Sequence, residues 1–228
     1  DNPYDTFISN KNKLNIFTRE LCNYYFHSLK RINSSNEINT IFNLKNNNDL
    51  SKHNHIELGK ILPSSQKFKY KQFKNCAIVG SSEILLKENY GKEIDKHDLI
   101  IRINFAPTKG FESYVGSKTT LRLLGQNWFF REKNEICIHR YNKIKYIEKD
   151  LEIYKNEIIN NNLLSLNVHF HDKLYNCNNG IIAIMLGYYL AKNVNIYGFG
   201  RGSSHYYDIG RNKPFAEEMA KVKWVKSK

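Results

Sequence analysis

The chain has 228 residues, 41% hydrophobic and 13% aromatic, enough for one domain with a sizeable core. Its 35 Lys and Arg against 22 Asp and Glu leave a net charge of +13, which favours anionic ligands. The lysines are scattered through Asn-rich stretches such as residues 43–52, and no RRM, KH or zinc-finger spacing occurs, so nucleic acid is not an expected partner. No apolar run approaches the length of a membrane span and no signal peptide is visible. The 4 cysteines contain no C-x-x-C pair, which disfavours structural zinc and dithiol redox chemistry.

In chain order, residues 13–32 carry apolar side chains at helical intervals and predict an amphipathic helix. Residues 34–60 are polar, Asn-rich and without period, which reads as a connector. We therefore divide the chain into residues 1–66, a helix with a flexible connector, and 67–228, the functional domain. Strands are expected near 76–80, 98–104, 119–124, 135–139 and 193–198, with a further one near 164–170. Helices are expected near 82–88, 145–160, 180–191 and 214–225. Strands alternating with helices predict an α/β fold, with a mainly parallel central sheet and helices on both faces.

The stretch from Cys76 to Leu124 carries the most information. The run Cys76-Ala-Ile-Val-Gly80 ends in a glycine and opens into Ser81-Ser82, and the run Leu99–Ile103 then delivers Asn104. Strand, glycine turn, helix and strand form the unit that binds nucleotides at the carboxyl edge of a sheet. Further along, the apolar segment after Gly180 is expected to start a helix whose amino end, at Asn179 and Gly180, would attract a phosphate or carboxylate.

Read together, C-A-I-V-G, G-K-E-I-D-K-H-D, R-I-N-x-A-P-T and G-F-E-S-Y-V-G-S-K-T-T resemble the large sialylmotif of the eukaryotic-type sialyltransferases, glycosyltransferase family 29. Residues 177–200 (CNNGIIAIMLGYYLAKNVNIYGFG) resemble the small sialylmotif, and His205-Tyr-Tyr-Asp208 the short third motif. The resemblance implies a single Rossmann-like domain of GT-A type. It implies inverting transfer of sialic acid from CMP-sialic acid to a glycan hydroxyl, without a metal. It also implies a Golgi-lumenal setting, with a membrane anchor preceding the chain. A related donor, CMP-linked Kdo, would suit the same site, and a non-catalytic CMP-sugar or glycan-binding module is the alternative from another class.

Carried over residue by residue, Ser81, Ser82 and Asn104 would face the CMP moiety. Asn179 and Gly180 would contact the donor, Gly198 and Gly200 would admit the nucleotide to the backbone, and His205 would donate to the phosphate. Gln126, Trp128 and Tyr207 are candidate acceptor contacts, although these aromatics equally suit a packed core. No D-x-D motif is present. Its nearest approaches, Glu93-Ile-Asp95 and Glu148-Lys-Asp150, have structural readings at least as good, and no metal site is expected.

Four departures from the family stand out. Serine replaces the usual Asn at 81, and Asn179 replaces Ser or Thr. The family's catalytic base is a histidine in H-x-x-x-x-E, a role that needs a group titrating near neutral pH. Here Glu218 matches the acid, but Lys213 stands at the histidine position and no histidine follows His205. Three readings compete: a divergent enzyme with His205 or another group as base, a pseudoenzyme, or residues missing between His205 and Lys213. Finally, the family pairs the cysteine at position 76 with one that corresponds here to Ala191. Cys177 lies about 20 Å from that position by helical rise, so Cys76 is expected to be a buried thiol.

Overall fold

The computed structural model describes residues 73–125, 135–140, 163–166, 178–199 and 204–208. The expected helices at 13–32, 145–160 and 214–225, the connector and the division at residue 66 lie outside them. Six strands form one sheet: β1 (Phe73–Val79), β2 (Leu99–Ile103), β3 (Leu121–Leu124), β4 (Ile136–Arg140), β5 (Leu163–Leu166) and β6 (Ala191–Tyr197). The order is β5-β4-β3-β2-β1-β6, and every neighbouring pair is parallel. All residues of β2 and β3 are buried, as are the last four of β1. Near-continuous apolar runs are what a parallel sheet covered on both faces demands.

The chain steps outward from β1 to β5, then returns past β1 to form β6. Crossovers keep one hand, so steps in opposite directions must cross on opposite faces. On one face lies α3 (Asn179–Leu190), packed over Cys76, Ile78, Leu99 and Ile101. On the other face lie a 3₁₀ turn (Glu83–Lys87), α1 (Gly91–Ile94) and α2 (Glu112–Val115), whose Leu85, Ile94 and Val115 pack on Ala77, Val79 and Ile100. The α-helix α3 is apolar nearly all round because the sheet and its surroundings bury nine of its twelve residues.

Several boundaries differ from expectation for local reasons. The helix expected near 82–88 is a 3₁₀ turn, closed by an Ile84 N–H to Ser82 Oγ bond and ended by extended Glu88. Helices α1 and α2 are four residues each, too short to leave a period in the sequence. Strand β2 stops at Ile103 because Asn104 turns to a φ of +52°. Helix α3 ends at Leu190 and Ala191 is already extended, so helix passes directly into strand.

Cys76 is a buried free thiol, as expected, and burial pushes its pKa well above the ordinary thiol value. Its partner on β6 is Val194, while Ala191 stands opposite Phe73. The helix residue above Cys76 is Gly187: a methyl there would approach Ile78 Cδ1 to 2.6 Å and Cys76 Sγ to 3.3 Å. Glycine at this position is what lets α3 lie so close on β1.

The G-K-E-I-D-K-H-D segment is an anchor. Asp95 accepts from the Ser117 N–H and hydroxyl and from the Lys118 N–H, at 2.8–3.0 Å. Burial raises its carboxyl pKa, but those bonds and the nearby Arg102 charge outweigh it and hold the group below its usual range. A lowered folded pKa adds stability that is complete above the unfolded value of about 4 and is lost as pH falls through the folded one. Asp95→Ala should therefore cost about 1–3 kcal/mol at pH 7. In urea titrations at several pH values, the gap between wild type and variant should close below pH of about 4; a gap that persists unchanged in acid would contradict this account. Glu93 is likewise engaged, accepting from the Tyr197 hydroxyl at 2.8 Å.

Candidate active site

The chain leaves β1 on one side and arrives in β6 on the other, so the carboxyl ends of these strands flank the switch point where open parallel sheets bind ligands. The sequence places glycines here for steric reasons. A methyl on Gly80 would stand 2.5 Å from the Gly198 carbonyl oxygen, and Gly198 itself has a φ of +72°. The two turns are laced together by Gly80 N–H to Tyr197 O (2.8 Å) and Ser82 N–H to Gly198 O (3.1 Å). The Phe199 ring fills the space between Gly80 and Gly180, 3.0 Å from where either methyl would lie and so closer than ordinary van der Waals contact.

His205 belongs to this edge. It forms an antiparallel bridge with Ser82, and the Tyr206 N–H donates to Ser81 O at 2.9 Å. Its Nδ1 is hydrogen-bonded to Ser81 Oγ at 2.9 Å, and its ring stacks on Tyr207 with centroids 5.0 Å apart and planes 16° from parallel. Tyr206 is fully buried and donates its hydroxyl to the Pro107 carbonyl, tying the segment to the loop after β2. Burial first, and the Asp208 charge second, push the Tyr207 hydroxyl up to about 12, so it stays neutral at physiological pH.

Asn104 follows β2 in a left-handed conformation that Asn tolerates better than most residues. Its Oδ1 accepts from the Gly125 N–H at 3.0 Å, across the end of β3, and from Asn179 Nδ2 at 2.7 Å. An amide oxygen held by two donors fixes the flip of the group and turns Asn104 Nδ2 into the outward donor. Asn178, rather than Asn179, caps α3, its Oδ1 accepting from the Ile181 N–H at 3.0 Å. Asn179 is thereby the first helical residue, at the positive end of the helix dipole.

Beneath Asn104 lies a pair the sequence reading did not single out. Arg122 and Glu135 are 0% and 2% exposed in their side chains and form a bidentate ion pair at 2.6 Å. The same guanidinium donates to the carbonyls of Asn104 (2.8 Å) and Ala106 (3.1 Å). Arg102, its register partner on β2, is equally buried and donates to the carbonyls of Val115 and Lys118. One arginine inside each of two apolar strands, L-I-I-R-I and L-R-L-L, was the available signal.

Thus Ser81, Ser82, Asn104, Asn179, Gly180, Gly198, His205 and Tyr207 converge on one sheet edge. Two carry uses not foreseen: the Ser82 hydroxyl caps the 3₁₀ turn, and Tyr207 packs edge-on against Phe105 as well as stacking on His205. Gly200, Gln126, Trp128, Lys213 and Glu218 lie outside the described residues. Among the described residues no group of three or more His, Cys, Asp or Glu is placed to hold a metal ion.

This geometry can be set beside known proteins. The sequence profile of "Glycosyltransferase family 29 (sialyltransferase)" matches residues 26–147, more than half of the chain. The chain belongs to glycosyltransferase family 29. It is 32% identical over 182 residues to the CMP-N-acetylneuraminate-beta-galactosamide-alpha-2,3-sialyltransferase 1 of Mus musculus, covering 65% of this chain and 52% of that protein. It is 43% identical over 70 residues to the sialyltransferase-like protein 2 of Arabidopsis thaliana, covering 31% of this chain and 16% of that one. The chain thus spans about half the mouse relative's length, and less of the plant one. The fold matches the crystal structure of a mammalian sialyltransferase with a TM-score of 0.57 at 21% identity, over 85% of this chain and 83% of that one. A further structure, of a mammalian sialyltransferase in complex with Gal-beta-1-3GalNAc-ortho-nitrophenol, matches with the same TM-score at 20% identity, over 95% and 85%.

Proposed function

We propose that this family 29 domain, of GT-A, Rossmann-like type, transfers sialic acid from CMP-sialic acid to a glycan hydroxyl with inversion. In that reaction the acceptor oxygen attacks the anomeric carbon of the donor as the bond to the phosphate oxygen breaks. CMP leaves with the electron pair, and the hydroxyl proton passes to a base. The observation that carries the reading is the convergence of His205 and Asn104 on the carboxyl edge, both with side chains fixed by hydrogen bonds. His205 Nε2 and Asn104 Nδ2 then act as donors toward the phosphate, with the amino end of α3 adding its dipole.

A phosphate monoester is a stable leaving anion, so positioned donors can serve where nucleotide-diphosphate chemistry uses a divalent cation. The use of Glu93 and Asp95 oxygens within the fold supports a metal-independent reaction. With His205 donating to the phosphate the acceptor's proton goes to another group, and Lys213 could be that base only with its pKa lowered by several units. The same reading carries the Golgi lumen as setting; among the described residues, no helix is long and apolar enough to cross a membrane.

The test offers CMP-sialic acid and CMP-Kdo separately with a panel of galactoside acceptors, following CMP release and product mass. We expect turnover with CMP-sialic acid. Turnover with CMP-Kdo alone would replace the donor, and tight CMP binding without turnover would make the domain a binding module.

A further inference from the structure

We propose that Ser81 is a positioning residue for His205: its hydroxyl fixes the imidazole with Nε2 turned toward the donor, rather than touching the donor itself. The inference rests on the reading above, in which His205 faces the leaving phosphate. Four restraints converge on this one residue, two on its backbone and two on its ring. The backbone of His205 is bridged to Ser82, its N–H approaches Asp208 Oδ2 at 3.4 Å, its face lies on Tyr207, and its Nδ1 lies 2.9 Å from Ser81 Oγ. With Nδ1 occupied and one face covered, Nε2 is the ring nitrogen presented to a ligand.

The chemistry of a hydroxyl suits this task. Serine both donates and accepts. Toward a neutral imidazole the Ser81 O–H donates to Nδ1, which places the ring proton on Nε2, where it can donate to a phosphate oxygen. Toward an imidazolium the direction reverses, and Nδ1–H donates to Oγ. The two states differ by a proton on Nδ1, which the hydroxyl meets either as donor or as acceptor, so the ring keeps its orientation and its Nε2–H stays directed at the donor in both. A carboxylate in the same place would hold Nδ1 protonated and favour the charged ring, whereas an alanine would leave the tautomer to solvent. The neighbouring hydroxyl, Ser82, cannot substitute, because it caps the 3₁₀ turn.

The decisive measurement is the long-range ¹⁵N–¹H spectrum of the His205 imidazole in the whole ligand-free chain, with Ser81→Ala and Ser81→Thr beside the wild type. Expected is an Nε2–H tautomer in the neutral ring of the wild type, a mixed tautomer in Ser81→Ala, and recovery in Ser81→Thr. With CMP-sialic acid, kcat should fall about tenfold in Ser81→Ala, the size of one lost hydrogen bond, while the CMP dissociation constant stays within about threefold. An unchanged tautomer in Ser81→Ala, or a wild type protonated at Nδ1, overturns the proposal. So does a large loss of CMP affinity with the tautomer intact, which would make Ser81 a direct donor contact. Absence of turnover in the wild type would retire the proposed reaction without touching the spectrum, which then decides the role of Ser81 alone.

Discussion

Replacing Arg122 by Met should destabilise the domain by about 3–5 kcal/mol, because it strands a buried carboxylate. Glu135 is 3% exposed and both its oxygens face the guanidinium. Without that partner it must be protonated or draw water into the sheet. The carbonyls of Asn104 and Ala106 lose their donor at the same time. The double variant Arg122→Met/Glu135→Leu should recover most of the loss, since the cost lies in the unpaired charge rather than in the pair's net contribution. Urea unfolding of both variants checks this, and a single variant no less stable than the double would refute it. The single variant should also loosen the Asn104 turn, so CMP affinity should weaken even at temperatures where the domain remains folded.

His205→Ala should lower turnover of CMP-sialic acid about 10²–10³-fold, the usual effect of removing one preorganised donor from a developing oxyanion. Its melting temperature should barely move, because the ring is at the surface and the segment is held by buried Tyr206. His97 is the matched comparison. It reaches Asn195 through Nε2 and the carbonyls of Glu93 and Ile94 through Nδ1, at 2.8 and 3.1 Å, so it joins α1 to β6. His97→Ala should therefore lower stability and leave kcat of the folded fraction near the wild-type value. Initial rates with melting curves on both variants separate the two roles. Near-normal turnover in His205→Ala would sink the assignment of His205 to the leaving phosphate.

Legibility differed sharply between kinds of residue. The glycines and the polar residues at strand ends could be read because their positions follow from local geometry: an apolar run ending at Gly80, another ending at Asn104, a helix opening at Gly180. Family motifs then assigned them to a donor. Hydroxyl and amide partners could not be read. Nothing in the spacing of Ser81 and His205, 124 residues apart, says that they bond, nor that Asn179 closes on Asn104 across 75. Such bonds depend on strand order, which a sequence of alternating strands and helices leaves open.

By itself, then, the sequence determined the parallel α/β class, the strands near their true places and the polar residues at their carboxyl ends, because hydrophobic period and turn chemistry are local properties. Tertiary structure alone decided that β6 returns beside β1, that two arginines sit inside the sheet with Glu135 and backbone carbonyls as partners, and that Ser81 holds His205. These are contacts between segments distant in the chain, fixed only when crossovers of one hand close the sheet and the desolvated polar groups find the partners that burial obliges them to have.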